Sequence, residues 1–85
     1  MDWEQETEKK FLQLIDKIPV FLRDIAKDKV AKRAEALAQK ENRNLVCEKD
    51  LVDAFFTETP FGFHGPMKTD MSAIGIDYIK YGYER

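Results

Sequence analysis

Ile18-Pro19-Val20-Phe21-Leu22-Arg23 and Val46-Cys47-Glu48-Lys49-Asp50-Leu51-Val52-Asp53-Ala54 are the two stretches that decide the fold. Proline inside a helix removes a hydrogen bond, but it suits the first turn of a new one. Pro19 therefore marks a corner between two helices. Its apolar neighbours Ile18, Phe21 and Leu22 are expected to close the core over that corner, with the Arg23 stem packed across it. Beyond it, Leu22, Ile25, Ala26, Val30, Ala34, Leu37 and Ala38 recur at three- and four-residue steps. That spacing predicts a long helix over residues 19–41, whose alanines let a neighbour come close. Asn42 and Asn44 stop it, because asparagine tolerates the left-handed backbone of a helix end. Leu45-Val46 reads as a short extended bridge. A third helix opens near Cys47, with Asp50 at the capping-box position, and Thr59-Pro60 ends it.

Upstream, Phe11, Leu14, Ile15 and Ile18 share one helical face. With Asp2 as N-cap and Gln5 three residues on, this predicts a first helix over residues 3–17, with Trp3 anchoring the edge of the core. Downstream of Pro60 the character changes. Phe61-Gly62-Phe63-His64-Gly65-Pro66 is turn-rich and aromatic. Met67 to Ala73 suits a short helix, and Ile74, Ile76 and Tyr78 alternate as in a strand. The expected architecture is mostly α. Residues 1–59 form a three-helix, orthogonal-type domain with a histone-like helix–bridge–helix. Residues 60–85 form an aromatic C-terminal extension packing on it.

The chain has 85 residues, 44% apolar and 35% charged, so it suits one small folded domain. One cysteine, Cys47, excludes an internal disulfide and a cysteine-based cluster within one chain. One histidine, His64, excludes a His–His metal pair. No apolar run approaches the ~18–20 residues of a membrane span. Met1 to Lys10 is acidic and polar, unlike a secretory leader, so the expected location is cytoplasmic. Net charge is −2. It is uneven, with residues 23–49 at +3 between a −2 segment and a −3 segment. That bias fits a solvated helix face laced with ion pairs better than a nucleic-acid stripe.

Residues 3–54 resemble a known family. Trp3, the Ile18-Pro19-Val20-Phe21-Leu22-Arg23 turn, the long Lys/Ala-rich helix and Val46-x-x-x-Asp50-Leu51-Val52-x-Ala54 look like the small C-terminal domain of the light-independent (dark-operative) protochlorophyllide reductase B subunit. The chain departs from that pattern in a first helix about one turn longer, in Cys47 where threonine is usual, and in everything after Pro60. The resemblance implies a setting in tetrapyrrole or nitrogenase-like redox metabolism, as in chlorophyll biosynthesis and photosynthesis. The cluster, the reductase partner and the substrate cavity of such an enzyme lie outside this domain. The chain is therefore expected to be no enzyme by itself and to hold no cofactor of its own.

No catalytic constellation is visible: there is no nucleophile–histidine–acid set and no glycine-rich phosphate loop. Cys47 reads as a small packing residue before it reads as a nucleophile. Phe61, Phe63, Tyr78, Tyr81 and Tyr83 are the candidate partner-binding aromatics, since such residues dominate interfaces. The competing reading is that they fold back and cover a small core. His64, beside Phe63, is the candidate axial ligand to a tetrapyrrole. Three functions follow. The first is an accessory module docking on a larger redox or tetrapyrrole enzyme, that enzyme being the expected protein partner. The second is a small tetrapyrrole carrier built on His64 and the tail. The third is a histone-like nucleic-acid binder using Arg23, Lys27, Lys32 and Arg33, which the net negative charge disfavours.

Overall fold

The computed structural model describes residues 1–84 and is mostly α-helical, as the periodicity predicts. In chain order it runs β1 (Asp2–Trp3), α1 (Gln5–Ile15), α2 (Val20–Lys40), β2 (Leu45–Val46), α3 (Glu48–Glu58) and α4 (His64–Ala73). Short 3-10 turns at Phe61–Phe63 and Tyr78–Tyr81 flank α4.

The first helix begins later than its capping pattern suggests. Asp2 and Trp3 are not a cap and first turn; they form β1, which pairs in parallel with Leu45 and Val46. The Glu4 N–H extends the pairing to the Val46 carbonyl at 3.0 Å. Glu4 is the N-cap, and the buried Thr7 hydroxyl donates to its side chain at 2.8 Å. Trp3 stacks on Phe11 at 4.9 Å and donates Nε1–H to Glu35 at 2.9 Å. An edge-of-core tryptophan thus links β1, α1 and α2.

α2 ends in a Schellman motif. Asn42 takes φ 59°, the Asn42 N–H bonds Gln39 and the Arg43 N–H bonds Ala38. The chain reverses there, and α2 and α3 become antiparallel partners. Arg43 pairs with Asp50 at one end and Arg33 with Glu58 at the other. The core lies between them: Val30, Ala34 and Ala38 from α2, and Leu51, Val52, Ala54, Phe55 and Phe56 from α3, with Phe11, Leu14 and Ile15 of α1.

The Pro19 corner forms, but its apolar residues do not close over it. Phe21 is 80% exposed, Ile25 57%, and Leu22 also faces solvent, which corrects the expectation that they join the core. The reason is helical phase. At 3.6 residues per turn, Phe21 and Ile25 point to the side of α2 away from Val30, Ala34 and Ala38, and Leu22 to its flank. Ile18 is partly buried and Pro19 is exposed. Arg23 holds the corner, donating Nε–H to the Ile18 carbonyl at 2.8 Å and Nη2–H to the Asp16 carbonyl at 2.7 Å. Those carbonyls are acceptors that the end of α1 leaves unpaired.

The extension joins the same core. Met67, Met71, Ile76 and Tyr78 are all buried against the helices. The alternation at Ile74, Ile76 and Tyr78 is not a strand. Gly75, at φ 84°, ends α4 in a second Schellman motif, and the Ile76 N–H bonds Met71 at 2.9 Å. Ile76 and Met71 are the apolar pair that usually accompanies such an ending.

Candidate functional site

The α2–β2–α3 joint is built on charge. Asp50, at the third position of α3, is 1% exposed. It accepts the Cys47 N–H at 3.0 Å, closing the N-terminus of the helix. Arg43 grips the same carboxylate with two nitrogens, at 2.7 and 2.8 Å, and also contacts Glu41. The Cys47 thiol lies 3.3 Å from Asp50 Oδ2, half-buried and packed in the joint. Burial pushes the Asp50 carboxyl up, but the Arg43 guanidinium and the Cys47 N–H more than offset it and hold it below its usual range. The bonds that Arg43 donates to Asp50 and to Glu41 hold its proton more tightly than usual.

A second cluster ties the tail down. Glu48 accepts from Lys10 at 2.6 Å and from the Tyr81 hydroxyl, with Lys80 at 3.6 Å. Tyr83 stacks flat on Phe56, centroids 3.8 Å apart, and donates its hydroxyl to Asp53 at 2.6 Å. Burial raises both phenols, and the carboxylate acceptors raise them further. Burial also pushes Glu48 up, yet its partners hold it below its ordinary value. An open hollow of about 400 Å³ borders this cluster, lined by Glu4, Thr7, Lys10, Cys47, Glu48 and Tyr81 among others. Its walls bond to one another: Lys10 and Tyr81 to Glu48, Thr7 to Glu4. Among the described residues, no three His, Cys, Asp or Glu side chains cluster as metal ligands would.

These shifts set a pH window. Asp50 and Glu48 have depressed folded pKa values, so their contribution is present above their unfolded values near ~4 and is lost as pH falls through the folded ones. Tyr81 and Tyr83 have raised values, so theirs is present below about pH 10 and is lost as pH rises through the folded values. The melting temperature is therefore expected to be flat from about pH 5 to about pH 10 and to fall on both sides. Melts of Tyr81→Phe/Tyr83→Phe should show a smaller alkaline fall, the remainder belonging to Lys49, whose value its bond to Asp53 raises, and should keep the acid fall. An alkaline fall unchanged in that variant would contradict the assignment.

The five candidate aromatics divide. Tyr78 is buried, and Tyr81 and Tyr83 are half-buried with their hydroxyls occupied. Phe61 and Phe63 stand on the open surface, 88% and 64% exposed, in the turn that follows α3. His64 begins α4 beside them. Its Nε2 donates to the Thr59 carbonyl at 2.9 Å, and its ring meets Phe56 edge-on at 5.0 Å. That nitrogen fixes the turn. The basic residues of α2 are interleaved with acids: Lys32 pairs with Asp28 and Arg33 with Glu58.

Val20, Phe21, Leu22 and Ile25 on α2 and Phe61 and Phe63 after α3 are exposed apolar residues, as are Met1, Leu12, Leu45 and Ile79 elsewhere in the fold. The Arg33–Glu58 bridge places the close of α3 beside the middle of α2. The first half of α2, with Phe21 and Ile25, and the Phe61–Phe63 turn both lie past it. The amino-acid pattern singled out Phe61 and Phe63 but placed Ile25 in the buried row, although it is 57% exposed. It also missed Arg43, Glu48 and Asp53, whose partners lie across the fold.

No curated protein and no solved structure matches this chain. A family model described as a protein of unknown function, DUF2621, matches residues 1–84. A match of that extent takes in the joint, the tyrosine contacts and the exposed phenylalanine turn alike, and the chain belongs to the DUF2621 family.

Proposed function

We propose that this protein is a non-enzymatic docking module whose contact with a larger protein is made by Phe61 and Phe63. The carrying observation is the division among the tail aromatics: three tyrosines are held by the fold, while two phenylalanines stand free in a turn. An exposed aromatic pair is costly to leave in water and adds nothing to the core beneath it. Aromatic side chains of this kind supply most of the energy in protein contacts. The turn beneath them is fixed by the His64–Thr59 hydrogen bond, so little ordering is needed on binding. The resemblance of residues 3–54 to the C-terminal domain of the dark-operative protochlorophyllide reductase B subunit suggests the partner class, a redox or tetrapyrrole enzyme.

The test is an affinity pull-down from host lysate, comparing the wild type with Phe61→Ser/Phe63→Ser. Recovery of such an enzyme by the wild type, reduced about tenfold or more in the variant, is the expected result. Equal recovery by both would move the contact elsewhere. Recovery of no protein above background would remove the docking reading.

A further inference from the structure

The C-terminal tail carries a hinge at Gly82. Its φ is 98°, in the left-handed region that favours glycine, and it faces open space. The Gly82 N–H bonds the Ile79 carbonyl at 3.0 Å, and among the described residues no backbone–backbone hydrogen bond follows it. Past Gly82 the described chain is tied down by one side chain, Tyr83, through its ring on Phe56 and its hydroxyl on Asp53. Tyr78 and Tyr81 lie before the hinge, so a rotation at Gly82 moves Tyr83 and leaves them in place.

Lifting Tyr83 strands no polar group. Asp53 keeps Lys49 at 3.0 Å and is itself partly exposed, so water replaces the phenol. What is uncovered is one flat face of Phe56, which is 7% exposed in the closed protein. That face adjoins the phenylalanine turn. The Phe61 ring lies 5.5 Å from His64, and His64 lies 5.0 Å from Phe56. Phe61, His64, Phe56 and Tyr83 thus form one continuous aromatic row, open at the Phe61 end and capped at the other by Tyr83. The place that Tyr83 fills has a definite chemistry: a flat apolar face, with a carboxylate held at its edge by a lysine. It suits a planar ring that carries a hydroxyl donor.

We infer that Tyr83 is an autoinhibitory cover on Phe56, displaced when the partner that docks on Phe61 and Phe63 inserts a tyrosine side chain of its own. This rests on the docking role of those two phenylalanines and names its regulation. The exchange remakes the stack and the hydrogen bond that it breaks. The resident ring competes from the same chain, at an effective concentration on the order of millimolar. A free tyrosine side chain therefore loses to it, and the contacts at Phe61 and Phe63 tip the balance for the right partner.

The first test needs no partner. The probe is p-cresol, the tyrosine side chain without its backbone, titrated into full-length wild type and Tyr83→Ala and followed by the NMR signals of the Phe56 ring. Tyr83→Ala should keep its helical circular dichroism and bind p-cresol at least about tenfold more tightly than the wild type. Tyr83→Ala/Asp53→Ala should lose about tenfold of that affinity. Loss of helix in Tyr83→Ala would show that the ring is structural and overturn the inference. So would p-cresol shifts that are equal in wild type and Tyr83→Ala, absent from both, or unchanged without Asp53. In lysate, the protein that the wild type recovers through Phe61 and Phe63 should be recovered about tenfold more by Tyr83→Ala. No gain there, with dependence on Phe61 and Phe63 intact, would remove the cover and keep the docking reading. Equal recovery by wild type and Phe61→Ser/Phe63→Ser would remove the docking reading, and the cover with it, whatever p-cresol shows.

Discussion

A chain ending at Thr59 is expected to lose its cooperative thermal transition. It keeps the α2–α3 pair and the Pro19 corner. It loses Met67, Met71, Ile76 and Tyr78 from the core, and the Tyr83 ring from the face of Phe56. Each buried apolar side chain of that size contributes about 1.5–3 kcal/mol. Phe56, buried in the whole protein, is then left facing water at the end of a short helix. A remainder of this size is at the lower limit of what one apolar core supports. The measurement is calorimetry of the truncated and full-length chains. The expected result is an endotherm for the full chain and none, or one lowered by more than about 20 °C, for the truncation. Coincident endotherms would mean that residues 1–59 fold alone and that the extension is an appendage.

The second large effect is at Asp50. Asp50→Ala removes the acceptor of the Cys47 N–H and both bonds from Arg43 in one step. A buried, charge-assisted junction of this kind costs about 3 kcal/mol to lose. In a domain this small, that lowers the melting temperature by roughly 12–24 °C. Asp50→Asn keeps the side-chain volume but not the charge. It should fall between Ala and wild type, and its melting temperature should respond less to acid. The Arg43 side chain is only partly covered and has Glu41 as a second partner, so Arg43→Ala should cost less than Asp50→Ala. Thermal melts of the three variants at neutral pH check the order. An Asp50→Ala melt within a few degrees of wild type would show that the bridge between α2 and α3 is held by β1–β2 pairing alone.

Much of this architecture is legible in local chemistry. Pro19 permits only a helix start, and Asn42 occupies the left-handed position for which asparagine is suited. Asp50 caps the helix that Cys47 opens. What local chemistry does not show is the rotation that builds up along a helix. Leu22 and Ile25 follow the buried row by three- and four-residue steps through Ala26, yet each such step drifts, and the accumulated rotation carries Ile25 to the side of α2 opposite Val30, Ala34 and Ala38. Asp2 before Trp3 reads as a cap because its pairing partner, Leu45, is distant in sequence. Ile74, Ile76 and Tyr78 alternate like a strand, yet the Gly75 between them supplies the positive φ that turns a helix end instead. The tyrosine contacts were open only to a general expectation of cover, since Glu48 and Asp53 look like any surface acids of an amphipathic helix.

The C-terminal extension divides its aromatics: Tyr78, Tyr81 and Tyr83 close the fold, and Phe61 and Phe63 lie outside it. The thermal melt of Phe61→Ser/Phe63→Ser tests this most directly, because it needs no partner. Side chains this exposed contribute nothing to the core, so the melting temperature should stay within about 2 °C of wild type. A fall of more than about 10 °C would place Phe61 and Phe63 among the residues that hold the protein together, and the proposed docking surface would not exist.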